Sequence, residues 1–252
     1  MIDELTGIIG QRLDQIRKRI SRAALSCGKS PDEIALVVVT KSQPVEVIEA
    51  AISVGIRRFG ENYPEETLSK ILQLQGQPEI EWHMIGHLQS RKARIVVENF
   101  HMLHSLDSTQ LAQKLDNLLA ASGKKMPSLL EFNVGGEESK FGWPAWDEKR
   151  WKELLPEISK ILALEHLQIS GLMTMPPLIE DEQKARSFFR KLRNLRDYLS
   201  ISFPGTNFKM LSMGTSADFE IAIEEGATMI RVGQAILGSR PPRKYPELFN
   251  QG

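Results

Sequence analysis

The segment IALVVVTKSQP, residues 34–44, determines how the rest of the chain is interpreted. It opens with a short, mostly β-branched run that carries no charge on either face, which is typical of a strand buried on both sides. Lys41 follows this strand directly, and Pro44 stands in what would be the first turn of the next helix. Counting back from Lys41 in steps of two reaches Val39 and Val37, so one strand face can point inward with the lysine at its end.

The same strand-then-helix pattern recurs along the whole chain. Eight strands are predicted at residues 34–40, 57–61, 81–86, 102–107, 128–134, 167–175, 209–213 and within 229–237. Helices are predicted between them at residues 44–54, 64–75, 91–99, 109–121, 147–162, 181–199 and 217–225. Strict alternation with short connections forces a parallel sheet with helices outside it. Eight repeats, with no G-x-G-x-x-G after the first strand, favour a closed α/β barrel of the (β/α)₈ TIM type over an open sheet.

The chain is interpreted as a single domain, because 252 residues is a usual length for one such barrel. An amphipathic helix at residues 3–26 precedes the barrel at 34–238, and the proline-rich tail 239–252 is expected on the surface. Thirty-two basic residues balance thirty-two acidic ones, which argues against nucleic-acid or anionic-lipid partners. No apolar run is long enough for a membrane span, and a single cysteine excludes an internal disulfide. We therefore expect a cytoplasmic protein.

The carboxyl ends of the strands are where the active sites of such barrels lie. Lys41 is expected there, where partial desolvation favours an uncharged amine that can attack an aldehyde. An exposed surface lysine is the alternative interpretation of this position.

The turn after the seventh strand is small and rich in hydroxyl groups. It comprises Ser212, Met213, Gly214, Thr215 and Ser216 and leads into a helix, a place where an anion can bind. The alternative role is plain helix capping by Thr215 or Ser216, with Asp218 in the first turn.

The eighth strand carries Arg231 and Gly233 with the same parity. An inward arginine requires a partner because an unpaired buried cation is costly, and Glu61, Glu131 or a ligand could supply it. Gly233 lets the backbone approach a ligand closely, and with Gln234 and the preceding turn it would form a phosphate cup. Lys41, the phosphate cup and Arg231 together suit the binding of a flat phosphorylated aldehyde. They would equally suit the active site of a Schiff-base aldolase that acts on a sugar phosphate.

Seven ordered blocks of sequence carry a family resemblance. They are VVVTKSQP, FGENYPEE, EWHMIGHLQSRK, FNVGGEESKFGW, GLMTM, LSMGTSADFEIAIEEG and RVGQAILG, running from about residue 30 to residue 238. In this order they resemble the motifs of the pyridoxal 5′-phosphate (PLP) homeostasis family, also called YggS/PROSC. That family is similar in fold to the N-terminal barrel of alanine racemase, the type III fold of PLP proteins.

The resemblance implies that Lys41 forms the internal aldimine with PLP and that Asn62 lies near the O3′ side of the cofactor. It implies that the phosphate is held by Ser212, Met213, Gly214, Thr215, Ser216, Gly233 and Gln234. Arg231 would face the pyridine nitrogen and leave it unprotonated, because arginine does not release its proton readily. PLP would then be a poorer electron sink, which suits a carrier or a racemase-like site better than a transaminase site. Arg91 and Gln234 depart from the family, which usually has asparagine and a small hydroxyl residue there.

Two further residues near the predicted mouth have open roles. His83, on the third strand, either lines the pocket or is a core histidine with satisfied hydrogen bonds. Lys140 lies on the long loop after the fifth strand and is a further candidate. No spacing of His, Cys and carboxylate residues predicts a metal site.

The function implied by the resemblance is a PLP-binding regulator that supports vitamin B6 and amino-acid homeostasis without robust catalysis. PLP-dependent apo-enzymes are its expected partners, and a monomer is expected because no strip of exposed aromatic residues stands out. An amino-acid racemase of low activity is the first alternative, with Lys41 as one base and Tyr63 the tyrosine nearest a predicted strand end. The chain leaves no room for the β-rich second domain of alanine racemase, which disfavours this alternative. The second alternative is a Schiff-base aldolase without PLP.

Overall fold

Eight parallel strands close into a barrel in the computed structural model, which describes residues 2–77, 79–177, 179 and 181–240. With one further short strand outside the barrel, β6, the described strands are β1 (Ala35–Val39), β2 (Arg58–Glu61), β3 (Glu81–Met84), β4 (Met102–Leu106), β5 (Met126–Asn133), β6 (Trp143–Pro144), β7 (Leu167–Met173), β8 (Met210–Ser212) and β9 (Met229–Val232). The ring runs β1-β2-β3-β4-β5-β7-β8-β9 and closes where β9 pairs with β1. The predicted fold class is confirmed. The two-residue β6, which pairs with the end of β5, was not predicted.

The helices pack around this ring. They are α1 (Ile2–Ser26), α2 (Val45–Ser53), α3 (Pro64–Gln73), α4 (Ala93–Asn99), α5 (Thr109–Ser122), α6 (Leu155–Leu162), α7 (Glu182–Ser202), α8 (Phe219–Glu224) and α9 (Gln234–Leu237). Short 3₁₀ turns occur at Pro31–Glu33, Ser90–Lys92 and Glu148–Leu154. None of the helices in the described ranges is long and apolar enough to cross a bilayer.

Local sequence explains the ends of these helices. The hydroxyl of Ser108 accepts a hydrogen bond from the N–H of Leu111 at the start of α5. Gly123 ends α5 with φ of 65°, in the left-handed region that glycine adopts without a Cβ penalty. Asp181 starts α7 by accepting hydrogen bonds from two backbone N–H groups of the first turn.

The buried hydrophobic side chains form two separate groups. The larger group fills the layer between the outer face of the ring and the helices. The smaller group lies inside the ring and contains Val37, Met102, Leu129, Met173 and Met229. Since Val37 is inside and Val38 is in the outer layer, the odd-numbered residues of β1 face inward, as the alternation predicted.

Several predicted boundaries lie one to three residues from those observed. Three of the differences concern how a helix begins. Pro44 precedes α2 as its cap, and the helix begins at Val45. The predicted helices at 91–99 and 147–162 begin as 3₁₀ turns. The predicted helix at 217–225 begins only at Phe219. Most of the predicted tail, residues 241–252, lies outside the described residues.

Candidate functional site

Lys41 lies two residues beyond the end of β1, in the turn that leads to α2. The residue is half-buried, and the inward parity of β1 directs it to the mouth of the barrel. The next residue, Ser42, has φ of 59° and is the one non-glycine residue with a positive φ among those described. A left-handed backbone costs an L-residue about 1–2 kcal/mol, so this turn is held by its surroundings.

Asn62 follows the end of β2 and lies at the same mouth, half-buried. Its backbone approaches Gly86, just past β3, so closely that a Cβ on Gly86 would lie 2.7 Å from the Cα of Asn62. Only glycine permits this approach. The sequence therefore brings Asn62 and Lys41 to adjacent strand ends, as predicted.

Arg231 is a buried cation inside the barrel, with only 2% of the residue exposed. Its Nη1 donates to the hydroxyl of Ser212, and its Nη2 donates to the carbonyl of Thr174 at 2.8 Å. Its Nε is buried and has no hydrogen-bond partner among the described atoms. Burial lowers the pKa of Arg231 to about 10, which still leaves it charged at neutral pH.

The carboxylates proposed as partners of Arg231 do not hydrogen-bond to it in the described structure. Glu61 faces α3 and accepts from Lys70 at 2.6 Å and from the Thr40 hydroxyl at 2.7 Å, so its prediction as a partner was wrong. Phe59, two residues earlier on β2, packs in the outer layer, and Glu61 has the same parity. Glu131 acts on Arg231 through charge alone and raises its pKa.

His83 is buried and belongs to a chain of polar groups inside the barrel. Its Nδ1 lies 2.9 Å from Nε2 of His104, and Nδ1 of His104 lies 2.9 Å from the Ser212 hydroxyl. Burial lowers the pKa of His83 to about 4 and that of His104 well below its usual range, so both rings are neutral at neutral pH. His83 is therefore a buried member of a hydrogen-bonded chain that ends on Arg231.

The direction of this chain follows from Arg231, which can only donate hydrogen bonds. Ser212 accepts from Arg231, so its own proton is available to Nδ1 of His104. Nε2 of His104 then donates to Nδ1 of His83, and the remaining N–H of His83 points to Glu81, 3.6 Å away. In this arrangement the Ser212 hydroxyl and both ring nitrogens of His104 have partners.

The turn after β8 meets the end of β9. The N–H of Gly233 lies 3.3 Å from the Ser216 hydroxyl, and the N–H of Arg231 donates to the carbonyl of Gly214 at 3.0 Å. Gly214 has φ of 93°, and a Cβ there would lie 2.6 Å from the Cβ of Ala222. The turn after β8 and the end of β9 are therefore adjacent and joined by hydrogen bonds.

The remaining residues of the predicted phosphate cup differ in whether their side chains or their backbone N–H groups are available to a ligand. Ser212 is fully buried with its hydroxyl on Arg231, and the side chain of Met213 packs in the outer layer. Gln234 is exposed at the start of α9. No described hydrogen bond involves the N–H groups of Gly214, Ser216 or Gln234.

The prediction that Thr215 or Ser216 caps the following helix was wrong. Asp218 is the residue before α8, and its carboxylate accepts from both the N–H of Thr215 at 2.6 Å and the Thr215 hydroxyl at 2.9 Å. The carboxylate thus folds back onto the turn and fixes its shape.

A carboxyl group with a raised pKa lies at the end of β5. Burial, reinforced by the charge of Asp107, raises the pKa of Glu131 to about 7, and its Oε2 has no partner among the described atoms. Lys140 acts in the opposite direction through its charge. At the same rim, Nδ1 of His87 lies 2.8 Å from Asp107, and its ring stacks on Phe141 with 3.7 Å between centroids.

Arg91 and a possible metal site are the remaining points raised by the sequence. The Nε of Arg91 contacts only the neighbouring Gln89 side chain among the hydrogen bonds described, on the surface. Within the ranges that the structure describes, no group of three or more His, Cys, Asp or Glu residues could hold a metal ion.

Sequence reasoning missed Lys70, His104 and Thr174 as parts of this region. One signal was available for Lys70, because it stands four residues after Glu66 on a predicted helix, at ion-pair spacing. The other contacts depend on how distant strands align, which no local pattern reveals.

Comparison with known proteins shows the family to which this chain belongs. The model of the alanine racemase N-terminal domain family matches residues 11–241. A pyridoxal phosphate homeostasis protein of Vibrio alginolyticus is 38% identical over 235 residues, covering 92% of this chain and 97% of that protein. The chain belongs to the pyridoxal phosphate homeostasis protein family. The resemblance predicted from seven sequence blocks is thereby confirmed.

Two further relatives extend the match. The pyridoxal phosphate homeostasis protein of Escherichia coli K12 is 36% identical over 239 residues, covering 92% of this chain and 97% of that protein. A structure of PipY from Synechococcus elongatus PCC7942 with PLP bound is 34% identical with a TM-score of 0.79, covering 91% of this chain and all of that one.

Proposed function

We propose that this protein binds PLP through Lys41 at the mouth of the barrel and acts in PLP homeostasis in the cytoplasm, as a monomeric carrier. PLP-dependent apo-enzymes are the proposed recipients. The family relationship and the PLP-bound relative PipY support the choice of cofactor.

The observation that carries the proposal is the buried Nε of Arg231. Among the described atoms it has no acceptor, although both other nitrogens of the guanidinium are hydrogen-bonded. A buried N–H without an acceptor costs about 1–3 kcal/mol, more on a charged group. A pyridine nitrogen is a flat, neutral acceptor that would satisfy this N–H and be kept unprotonated by it. The residues present therefore fit PLP.

The remaining groups of PLP have matching partners in the chain. Lys41 supplies a primary amine, and bound PLP supplies the aldehyde with which an amine condenses. The N–H groups of Gly214, Ser216 and Gln234 would take the phosphate, because no described hydrogen bond uses them and the two loops are hydrogen-bonded to each other. Asn62 would hold the edge of the ring near Lys41.

Arg231 also supports a carrier or a racemase-like site over a transaminase-like enzyme. A neutral ring nitrogen withdraws little electron density, so carbanion chemistry on the cofactor is disfavoured. The amino-acid racemase alternative is tested by assaying D- and L-amino acids with the protein and its Tyr63→Phe variant. A Schiff-base aldolase would instead leave the purified protein colourless and unable to take up added PLP.

The experiment compares PLP with pyridoxal, which has the same ring and aldehyde but no phosphate. Affinity of the purified protein for each is measured from the visible absorbance of the imine. A cup that makes two or more charge-assisted hydrogen bonds predicts at least about 100-fold weaker binding of pyridoxal. Equal affinities would contradict the proposed phosphate site, and no absorbance change with either compound would contradict the proposed function itself. The Lys41→Ala variant is the control for absorbance that arises elsewhere.

A further inference from the structure

The turn that carries Lys41 is tied to a buried ionic cluster on the side away from the barrel interior. At its centre is Lys70 on α3, whose side chain is only 5% exposed. Its Nζ donates to Oε1 of Glu61 at 2.6 Å, to Oε1 of Glu66 at 2.6 Å and to the carbonyl of Thr40 at 2.9 Å. An ammonium group has three N–H donors, so all of them have an acceptor here.

The cluster holds the backbone on both sides of Lys41. Before it, the Thr40 carbonyl accepts from Lys70 and the Thr40 hydroxyl donates to Glu61 at 2.7 Å. After it, the N–H of Ser42 donates to Oε1 of Glu66 at 2.8 Å. Lys41 thus lies between Thr40 and Ser42, whose polar groups are hydrogen-bonded to this cluster of three side chains.

The strained backbone lies at one of these attachment points. Ser42, with φ of 59°, adopts a conformation that glycine would adopt at lower cost. A strained residue persists where its surroundings over-determine it, and such residues cluster at functional sites. The hydrogen bond from Ser42 to Glu66 supplies that constraint.

General stability is a poor explanation for a cluster of this kind. A buried ion pair contributes little more than a well-packed apolar pair, because both charges must be desolvated. Burial indeed raises the pKa of Glu61 against the opposing effect of Lys70. What an apolar cluster could not do is hold a carbonyl and an N–H that flank one residue.

We propose that Lys70, Glu61 and Glu66 are positioning residues that hold Lys41 for condensation with the cofactor aldehyde. This inference rests on the proposed function. In that step the Lys41 amine and the aldehyde form a C=N bond and release one water. A fixed turn keeps the amine within reach of the aldehyde carbon, and a loose turn would spread it over many orientations.

The test separates covalent capture from binding. Glu66 is the residue to change, because its side chain is 33% exposed and its replacement leaves the Lys70–Glu61 pair in place. Glu66→Ala removes the acceptor for Ser42, and Glu66→Gln keeps an oxygen that can accept. Glu65→Ala is the matched control, since Glu65 lies on the same helix, is 51% exposed and pairs with Lys92 instead.

Each purified variant is mixed with PLP, and the rate and equilibrium of imine formation are followed by visible absorbance. Binding of pyridoxine 5′-phosphate, which has an alcohol in place of the aldehyde, is measured separately by competition or calorimetry. We expect Glu66→Ala to lower imine formation at least about tenfold, the equivalent of one hydrogen bond to a charged group. Its affinity for pyridoxine 5′-phosphate should stay within about twofold, and Glu66→Gln should recover most of the loss.

The inference is overturned if Glu66→Ala captures PLP as Glu65→Ala does, or if it loses affinity for both compounds alike. The second result would show a structural role for the cluster. Failure of the unaltered protein to form the imine would instead contradict the proposed function, so the two failures are distinguishable.

Discussion

Replacing Glu131 with glutamine should remove most of the pH dependence that this residue gives to folding stability. Glu131 lies at the end of β5, where burial and the charge of Asp107 raise its pKa from 4.5 to about 7. Its Oε2 is buried without a partner among the described atoms, so the ionised form has no hydrogen bond to offset its lost hydration. Glutamine has nearly the same shape and does not titrate.

The magnitude follows from the two pKa values. One pKa unit corresponds to about 1.4 kcal/mol, so the change from 4.5 to about 7 corresponds to about 3 kcal/mol. Below pH 4.5 the carboxyl is protonated in both states and contributes no pH dependence. Between 4.5 and 7 the unfolded chain loses the proton and the native protein keeps it, so stability falls as the pH rises. Above 7 the full penalty persists.

The assay is urea unfolding of both proteins at a series of pH values from just below 4.5 to just above 7. The free energy of unfolding of Glu131→Gln should rise by about 3 kcal/mol relative to the unaltered protein across this range. The contributions of His83 and His104 are common to both proteins and cancel in the difference. Glu46→Gln, on an exposed part of α2, reports the effect of losing a surface carboxylate. A difference that stays constant with pH would refute the reasoning.

Three further perturbations test other parts of the site. Acidification from pH 6.5 to about 4 should cost His83→Gln about 3 kcal/mol less stability than the unaltered protein, because native His83 resists protonation while the unfolded chain accepts a proton. Urea unfolding at each pH measures this difference, and the same loss of stability in both proteins would contradict it. Arg231→Lys should weaken PLP binding by about tenfold in an absorbance titration, since an ammonium cannot reproduce the fork of donors, whereas unchanged affinity would count against contact with the ring. Gly214→Ala should lower the free energy of unfolding by about 2 kcal/mol or more, because φ of 93° is strained for alanine and its Cβ would meet Ala222; a smaller loss in a urea titration would show that the turn can relax.

The barrel was predictable because the sequence patterns that specify its strands and helices lie within short segments of the chain. Period-two and period-3.6 patterns identify strands and helices, and short connections force the parallel order. The same parity argument placed Lys41 at the mouth and Arg231 inside, where the structure has them. It did not settle the direction of Glu61, which has the parity of Phe59 in the outer layer.

The unpredicted features depend on pairs of residues far apart in the chain. His104 meets Ser212 across 108 positions, and Lys70 meets Thr40 across 30. Such contacts are set by strand register and helix docking, which a hydrophobic pattern leaves open. The turn at Asp218 was misjudged for a different reason, because a carboxylate beside a hydroxyl-rich turn can bind that turn as readily as it can cap a helix.

The identity of the reacting amine is tested most directly by reducing the protein with borohydride in the presence of PLP and mapping the modified peptide by mass spectrometry. Reduction converts the imine into a stable secondary amine, so the label marks the lysine that carried the cofactor. We predict a single stoichiometric label on Lys41 and no label on the Lys41→Ala variant. A stoichiometric label on another lysine of the folded protein would contradict the account.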